Sequence, residues 1–123
     1  MQSIAQAAAA LNGGAKSRGL IEECLARIEN EAGEGRRTFL KVHGEAALAA
    51  ADFHDRMRAN GSAVSRFAGI PISIKDLFDI AGDVSTAGTI VLRNAAPAAA
   101  NAPVVARLRA AGFILFWISA TAV

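Results

Sequence analysis

The segment from Ile70 to Lys75 alternates branched apolar residues with other residues at a period of two. The isoleucines fall on one side of such a segment and its other residues on the opposite side: Ile70, Ile72 and Ile74 against Pro71, Ser73 and Lys75. This alternation is typical of a strand with one buried face. Proline is tolerated near the start of a strand, where a ladder donor can be spared. The pattern therefore predicts a strand that ends at Lys75.

A helix and a second apolar strand are predicted downstream. Asn101 to Pro103 has the composition of a helix cap and first turn, and Gly112 stands just past the end of that helix. Phe113 to Ile118 is continuously apolar, as expected of a strand buried on both faces. Asp76 is expected to cap a single helical turn, and Ser85 to Ile90 to be a short extended segment. The order strand, helix, strand predicts a layered α/β sheet.

Three helices and a short extended piece are predicted upstream. The helices are expected over Ser3 to Leu11, from a Ser17 cap through Ile28, and from about Gly44 to Asn60, with a loop at Glu31 to Arg37 and an extended piece at Thr38 to His43. The chain is thus expected to be one incomplete domain. Residues 1–66 would form its helical part and residues 67–123 the start of its α/β sheet core.

Composition excludes several classes of protein. The 123 residues support one domain at most, and a hydrophobic content of 53% excludes a disordered chain. A formal net charge of +2 does not indicate binding to nucleic acid. The longest nearly apolar stretch, Ala110 to Val123, is shorter than the roughly 20 residues of a membrane span. Cys24 is the sole cysteine, which excludes an internal disulfide and favours a cytoplasmic protein.

Lys75 has the most unusual placement of the titratable residues. It directly follows a strand that contains three isoleucines. Its amine is either partly desolvated, which lowers the pKa of a lysine and makes it a base, or it lies at a sheet edge with its ammonium in water. Cys24 lies on the apolar stripe of the second helix and is interpreted as a small buried hydrophobe. His43 and His54 have no ligand at metal-binding spacing and are interpreted as surface or loop residues. No metal site and no cofactor motif is predicted.

An ordered series of segments resembles the N-terminal third of the amidase signature family. The similarity runs from about residue 10 to residue 116. Its segments are CLARIE (Cys24 to Glu29), EAALAAADFHD (Glu45 to Asp55), GIPISIKDLFDIAG (Gly69 to Gly82), TAGT (Thr86 to Thr89) and NAPVVARLRAAG (Asn101 to Gly112).

The resemblance implies amide hydrolysis by a Ser, cis-Ser, Lys triad acting on a small-molecule amide without a cofactor. It implies that Lys75 is the catalytic lysine, neutral and linked to the nucleophile through the bridging serine. In the family, a later glycine- and serine-rich segment supplies the nucleophilic serine, and the bridging serine lies on the same later part of the chain. Neither occurs in these residues, and no serine is assigned. The chain is therefore expected to be a truncated and inactive portion of a general amidase or of the A-type component of a tRNA-dependent amidotransferase.

A non-enzymatic interaction module is the alternative. In this hypothesis a partner completes the protein through an exposed edge of the apolar strand, Phe113 to Ile118. The same strand leads to an expectation of self-association. Phe113, Phe116 and Trp117 would leave apolar area uncovered if the strand lacked neighbours.

Overall fold

The computed structural model describes residues 2–119, without the side chains of Trp117 and Ser119. Its elements, in chain order, are α1 (Ile4–Asn12), α2 (Ser17–Glu29), α3 (Gly35–Thr38), β1 (Phe39–Val42), α4 (Gly44–Ala59), β2 (Pro71–Lys75), α5 (Pro103–Ala110) and β3 (Ile114–Ser119). The predicted α/β class is confirmed. Two local predictions were wrong: α3 lies partly in the expected loop, and Ser85 to Ile90 is irregular, with one turn at Ala87 and Gly88. The end of the apolar stretch Ala110 to Val123, from residue 120 onward, lies outside the described residues.

The three strands form one mixed sheet in the order β1, β3, β2. β3 is antiparallel to β1 and parallel to β2. The exposed edge expected on Phe113 to Ile118 was therefore wrong, because both edges of β3 are paired. An apolar run predicts burial but does not show which strands will flank it. Here the short upstream piece, Phe39–Val42, returns to cover one edge.

The core is built around β3 and the two long helices. Phe116 is fully buried with Ile114 against α2 and α4, where Ala47 and Ala51 allow a close approach. Phe113 stacks on Phe67 with ring centroids 5.8 Å apart. The expectation that Phe113 and Phe116 would be uncovered was wrong, since other parts of the same chain supply their partners. The Trp117 side chain lies outside the described part.

A carboxylate from α4 caps the N-terminus of α2. Asp55 accepts from the backbone N–H of Ser17 through Oδ1 at 2.8 Å and from that of Arg18 through Oδ2 at 3.3 Å. The prediction that Ser17 caps this helix was wrong, because its buried hydroxyl donates instead to the carbonyl of Gly69. The acceptors come from a distant helix, so the local sequence carries no sign of them.

Candidate functional site

Lys75 is the last residue of β2, at the carboxyl end of a parallel strand pair. In open α/β sheets, ligands bind beyond the carboxyl ends of the strands. The Lys75 carbonyl accepts from the N–H of Leu77 at 2.7 Å and of Phe78 at 3.1 Å, so the chain turns sharply after it. The Lys75 side chain is exposed at this turn. A ligand at this end of the sheet would have direct access to the amine.

The predicted desolvation of Lys75 is not produced by the residues that the structure describes. Ile74 turns into the core at 6% exposure, whereas Ser73 and Lys75 are exposed. Successive side chains of a strand point to opposite faces, so the isoleucine next to Lys75 cannot cover it. Within residues 2–119 its surroundings match the alternative environment, a lysine on an outer strand with its amine in water.

Asp76 is buried beside the exposed lysine and holds a distant segment. The residue is 2% exposed, and its carboxylate accepts from both the backbone N–H of Thr86, at 2.9 Å, and the Thr86 hydroxyl. The predicted helical turn capped by Asp76 was wrong: residues 76–78 form a turn, and the carboxylate binds Thr86 ten residues later. This contact brings the TAGT segment to the carboxyl end of β2.

The TAGT segment forms a strained turn at this position. The Thr89 N–H donates to the Thr86 carbonyl at 2.9 Å, and Ala87 and Gly88 between them have φ values of 51° and 75°. A non-glycine residue in the left-handed region costs on the order of 1 kcal/mol and tends to occur at functional sites. The sequence resemblance includes TAGT but gives Thr86 no role, and Asp76 was expected only to cap a helical turn.

Other hydrogen bonds fix the rest of the loop between β2 and α5. The Ser85 hydroxyl donates to Asp79 at 2.7 Å, and the Ala81 N–H donates to the Asn101 side chain at 2.9 Å. Asn101 is therefore not the cap of α5, contrary to prediction. Its side-chain oxygen is already used by the returning loop, and α5 begins at Pro103 without a side-chain cap.

A second polar cluster joins β1 to the loop that follows Lys75. The buried carboxylate of Asp83 pairs with the Lys41 ammonium and lies 3.1 Å from Nε2 of His43. A cavity of about 290 Å³ borders it, with Arg109 in its wall. The interpretation of His43 as a simple loop or surface residue missed this contact, because Asp83 lies some 40 positions away along the chain.

The remaining candidates have structural surroundings. Cys24 is half-buried against the core, and burial raises the pKa of its thiol, which disfavours the reactive thiolate. Several serine hydroxyls hydrogen-bond within the fold, those of Ser3, Ser17, Ser65 and Ser85. Within residues 2–119, no three His, Cys, Asp or Glu side chains are grouped to hold a metal ion. No helix in that range has the length and apolarity to cross a membrane.

Comparison with known proteins identifies relatives of most of the described region. The sequence profile of the Amidase family matches residues 19–118. The chain is 47% identical over 96 residues to the A component of glutamyl-tRNA(Gln) amidotransferase from Chloroflexus aggregans, covering 78% of this chain and 19% of that protein. It is 40% identical over 105 residues to AtzE, the 1-carboxybiuret hydrolase component of Pseudomonas sp. strain ADP, covering 85% and 22%. The chain thus spans about a fifth of the length of these relatives.

Solved structures share the fold. Peptide amidase from Stenotrophomonas maltophilia superposes with a TM-score of 0.82 at 28% identity, over 96% of this chain and 24% of that one. Fatty acid amide hydrolase superposes with a TM-score of 0.84 at 16% identity, over 98% and 21%, a likeness of fold alone. The sequence resemblance is confirmed by both kinds of comparison. The chain belongs to the amidase family and has the amidase signature fold.

Proposed function

We propose that this chain contributes the lysine of an amide-hydrolysing active site, and that Lys75 is that residue. The observation that carries the proposal is the placement of Lys75. Lys75 is the exposed last residue of β2, a strand that runs parallel to β3. It lies within residues 19–118, which match the family, and beside a strained turn. Amide hydrolysis through serine needs a base that accepts the proton of the nucleophile. The accessible amine of Lys75, at the carboxyl end of β2, is in a position to serve as that base.

The proposed reaction follows from the family resemblance. A serine hydroxyl adds to the amide carbonyl carbon while its proton passes through the bridging serine to the neutral amine of Lys75. The carbon–nitrogen bond then breaks, and that proton is returned to the leaving amine. Water hydrolyses the acyl-serine. We expect the 123 residues alone to be inactive, since the segment that supplies both serines is not among them.

We further propose that the whole chain is part of one amidase domain in a cytoplasmic protein. The described residues before and after position 66 share a core and a sheet, because α2 and α4 pack against β3 and β1 pairs with it. The substrate is a small-molecule amide, and the parent is a general amidase or the A component of an amidotransferase. In the complete domain, further residues would desolvate Lys75, as a neutral lysine requires. The alternative of an interaction module is less well supported, because β1 and β2 flank β3, whose open edge would have bound the partner.

A chimera with a relative tests the proposal. Residues 19–118 would replace the matching segment of AtzE, and turnover of its amide substrate would be measured for the chimera and for the 123-residue chain. We expect an active chimera that loses at least about 100-fold in kcat on Lys75→Ala, the usual scale of general acid–base catalysis. A matched Lys41→Ala variant should keep most of the activity. Near-parental rates for Lys75→Ala would overturn the proposal, and turnover by the chain alone would overturn its predicted inactivity.

A further inference from the structure

We infer that Asp76 is a positioning residue for Lys75 and that it acts by holding Thr86. The inference rests on the proposed function, because it assigns a role to the neighbours of the proposed base. It concerns the juxtaposition of a buried carboxylate, an exposed amine on the preceding residue, and a strained turn that the carboxylate holds in place.

The burial of Asp76 is the first observation. An aspartate in a turn normally faces water, and a carboxylate is almost never fully buried without partners. Asp76 is 2% exposed, and Thr86 supplies it with two donors. Asp79, in the same loop, shows the ordinary arrangement: it bonds to Ser85 and stays exposed. The difference between the two aspartates indicates that the Asp76 contact positions residues of the site as well as stabilising the loop.

The strained turn is the second, independent observation. Ala87 has a φ of 51° directly after Thr86, and such a conformation persists only where its surroundings fix it. The paired bonds from Thr86 to Asp76 and the bond from Thr89 to Thr86 provide that fixation. The turn and the end of β2 are thereby locked to each other.

Lys75 is held by the same arrangement. Its carbonyl accepts two N–H groups of the turn that contains Asp76, so its backbone is fixed on the C-terminal side. Asp76 is anchored inward and Lys75 is exposed. Loss of the Thr86 contact would free this turn and let the lysine amine move away from its reaction position. A misplacement of about 1 Å costs on the order of 100-fold in rate.

The AtzE chimera described above provides the test, through kcat and KM measured separately. Thr86→Val keeps the shape of the side chain and the backbone N–H but removes the hydroxyl, whereas Thr86→Ser keeps both donors. We expect Thr86→Val to lower kcat by about 10- to 100-fold with KM changed by less than about 3-fold. Thr86→Ser should restore kcat to near the parental value. Ser85→Ala, which removes the exposed bond to Asp79, is the matched control and should leave both constants unchanged.

The outcomes separate this inference from the proposed function. An inert Lys75→Ala chimera together with parental kcat in Thr86→Val would overturn the role of Asp76 and leave Lys75 as the base. An active Lys75→Ala chimera would overturn the proposed function. Equal losses in Thr86→Val and Thr86→Ser would also overturn the inference, since the donors would not matter. If Thr86→Val does not fold, Asp76→Asn, which keeps one acceptor oxygen, replaces it, and an unchanged kcat there contradicts the inference.

Discussion

The hydroxyl of Ser17 donates a hydrogen bond to the backbone carbonyl of Gly69, joining the first turn of α2 to the segment that enters β2. Both residues are buried. Gly69 has a φ of +87°, and a Cβ at that position would lie 2.7 Å from the Ser17 Oγ and 2.9 Å from its Cβ. This contact sets how closely α2 approaches the strand that ends at Lys75.

Gly69→Ala should destabilise the chain strongly, because the new methyl group meets Ser17 and the backbone conformation disfavours it. Left-handed strain costs about 1–2 kcal/mol and overpacking about 1–3 kcal/mol, so we expect a loss of about 2–5 kcal/mol. The free energy of unfolding from urea titration measures it. Gly61→Ala is the matched control, since φ is +70° with no atom within 4 Å, and strain alone should cost about 1–2 kcal/mol. Equal losses in the two variants would contradict the steric argument.

Asp55→Ala should remove the cap of α2. It leaves the N–H groups of Ser17 and Arg18 without their acceptor, and losing an N-terminal cap costs about 0.5–2 kcal/mol. Thermal unfolding followed by circular dichroism would report the loss. Asp52→Ala, on the same helix, is the control. It removes only an ion pair with Arg18, in which the Arg18 and Asp52 side chains are 42% and 41% exposed. Its loss should cost less than about 1 kcal/mol. A larger loss for Asp52→Ala than for Asp55→Ala would refute the capping role.

Protonation of His54 should weaken the fold. Burial, and then the nearby charge of Arg58, lower the pKa of His54 below its ordinary value of 6.5. The unfolded chain then binds the proton more tightly than the folded chain does. His54 therefore lowers the free energy of unfolding as the pH drops below about 6.5, and this effect stops once the pH is below the lowered pKa of the folded state. Asp55 opposes the shift.

Urea unfolding at about pH 7.5 and about pH 5 checks this for the parent and for His54→Gln. The variant should lose less stability between the two conditions than the parent does. A parent and a His54→Gln variant with the same pH dependence would show that His54 does not contribute.

Phe116→Ala should cost about 3–5 kcal/mol, since it opens a cavity where β3 meets α2 and α4. Ile90, by contrast, is 76% exposed, and Ile90→Ala should change the free energy of unfolding by less than about 0.5 kcal/mol. Denaturant titration of both variants measures the contrast. A small effect of Phe116→Ala would mean that the helices do not cover β3 in solution, and would revive the expectation of self-association through that strand.

The elements near the proposed site show how far sequence periodicity reaches. The alternation around Ile72 and Ile74 predicted β2, and the apolar run predicted β3, because hydrophobic burial at a fixed spacing is a local property. The caps at Ser17, Asp76 and Asn101 were predicted from the same local rules and were wrong. In each case the polar side chain bonds to a segment from another part of the chain.

The sequence by itself determined the α/β class and most of the helices and strands, since these depend on spacing within short segments. The family and the candidate lysine came from the resemblance of its motifs to the amidase signature family. The tertiary structure decided the order β1, β3, β2, which paired both edges of the strand expected to be open. It also decided that Asp76 binds Thr86 and that Asp83 lies beside Lys41 and His43. Such contacts depend on how strands and loops pack in space, and the local periodicity of a single sequence does not predict them.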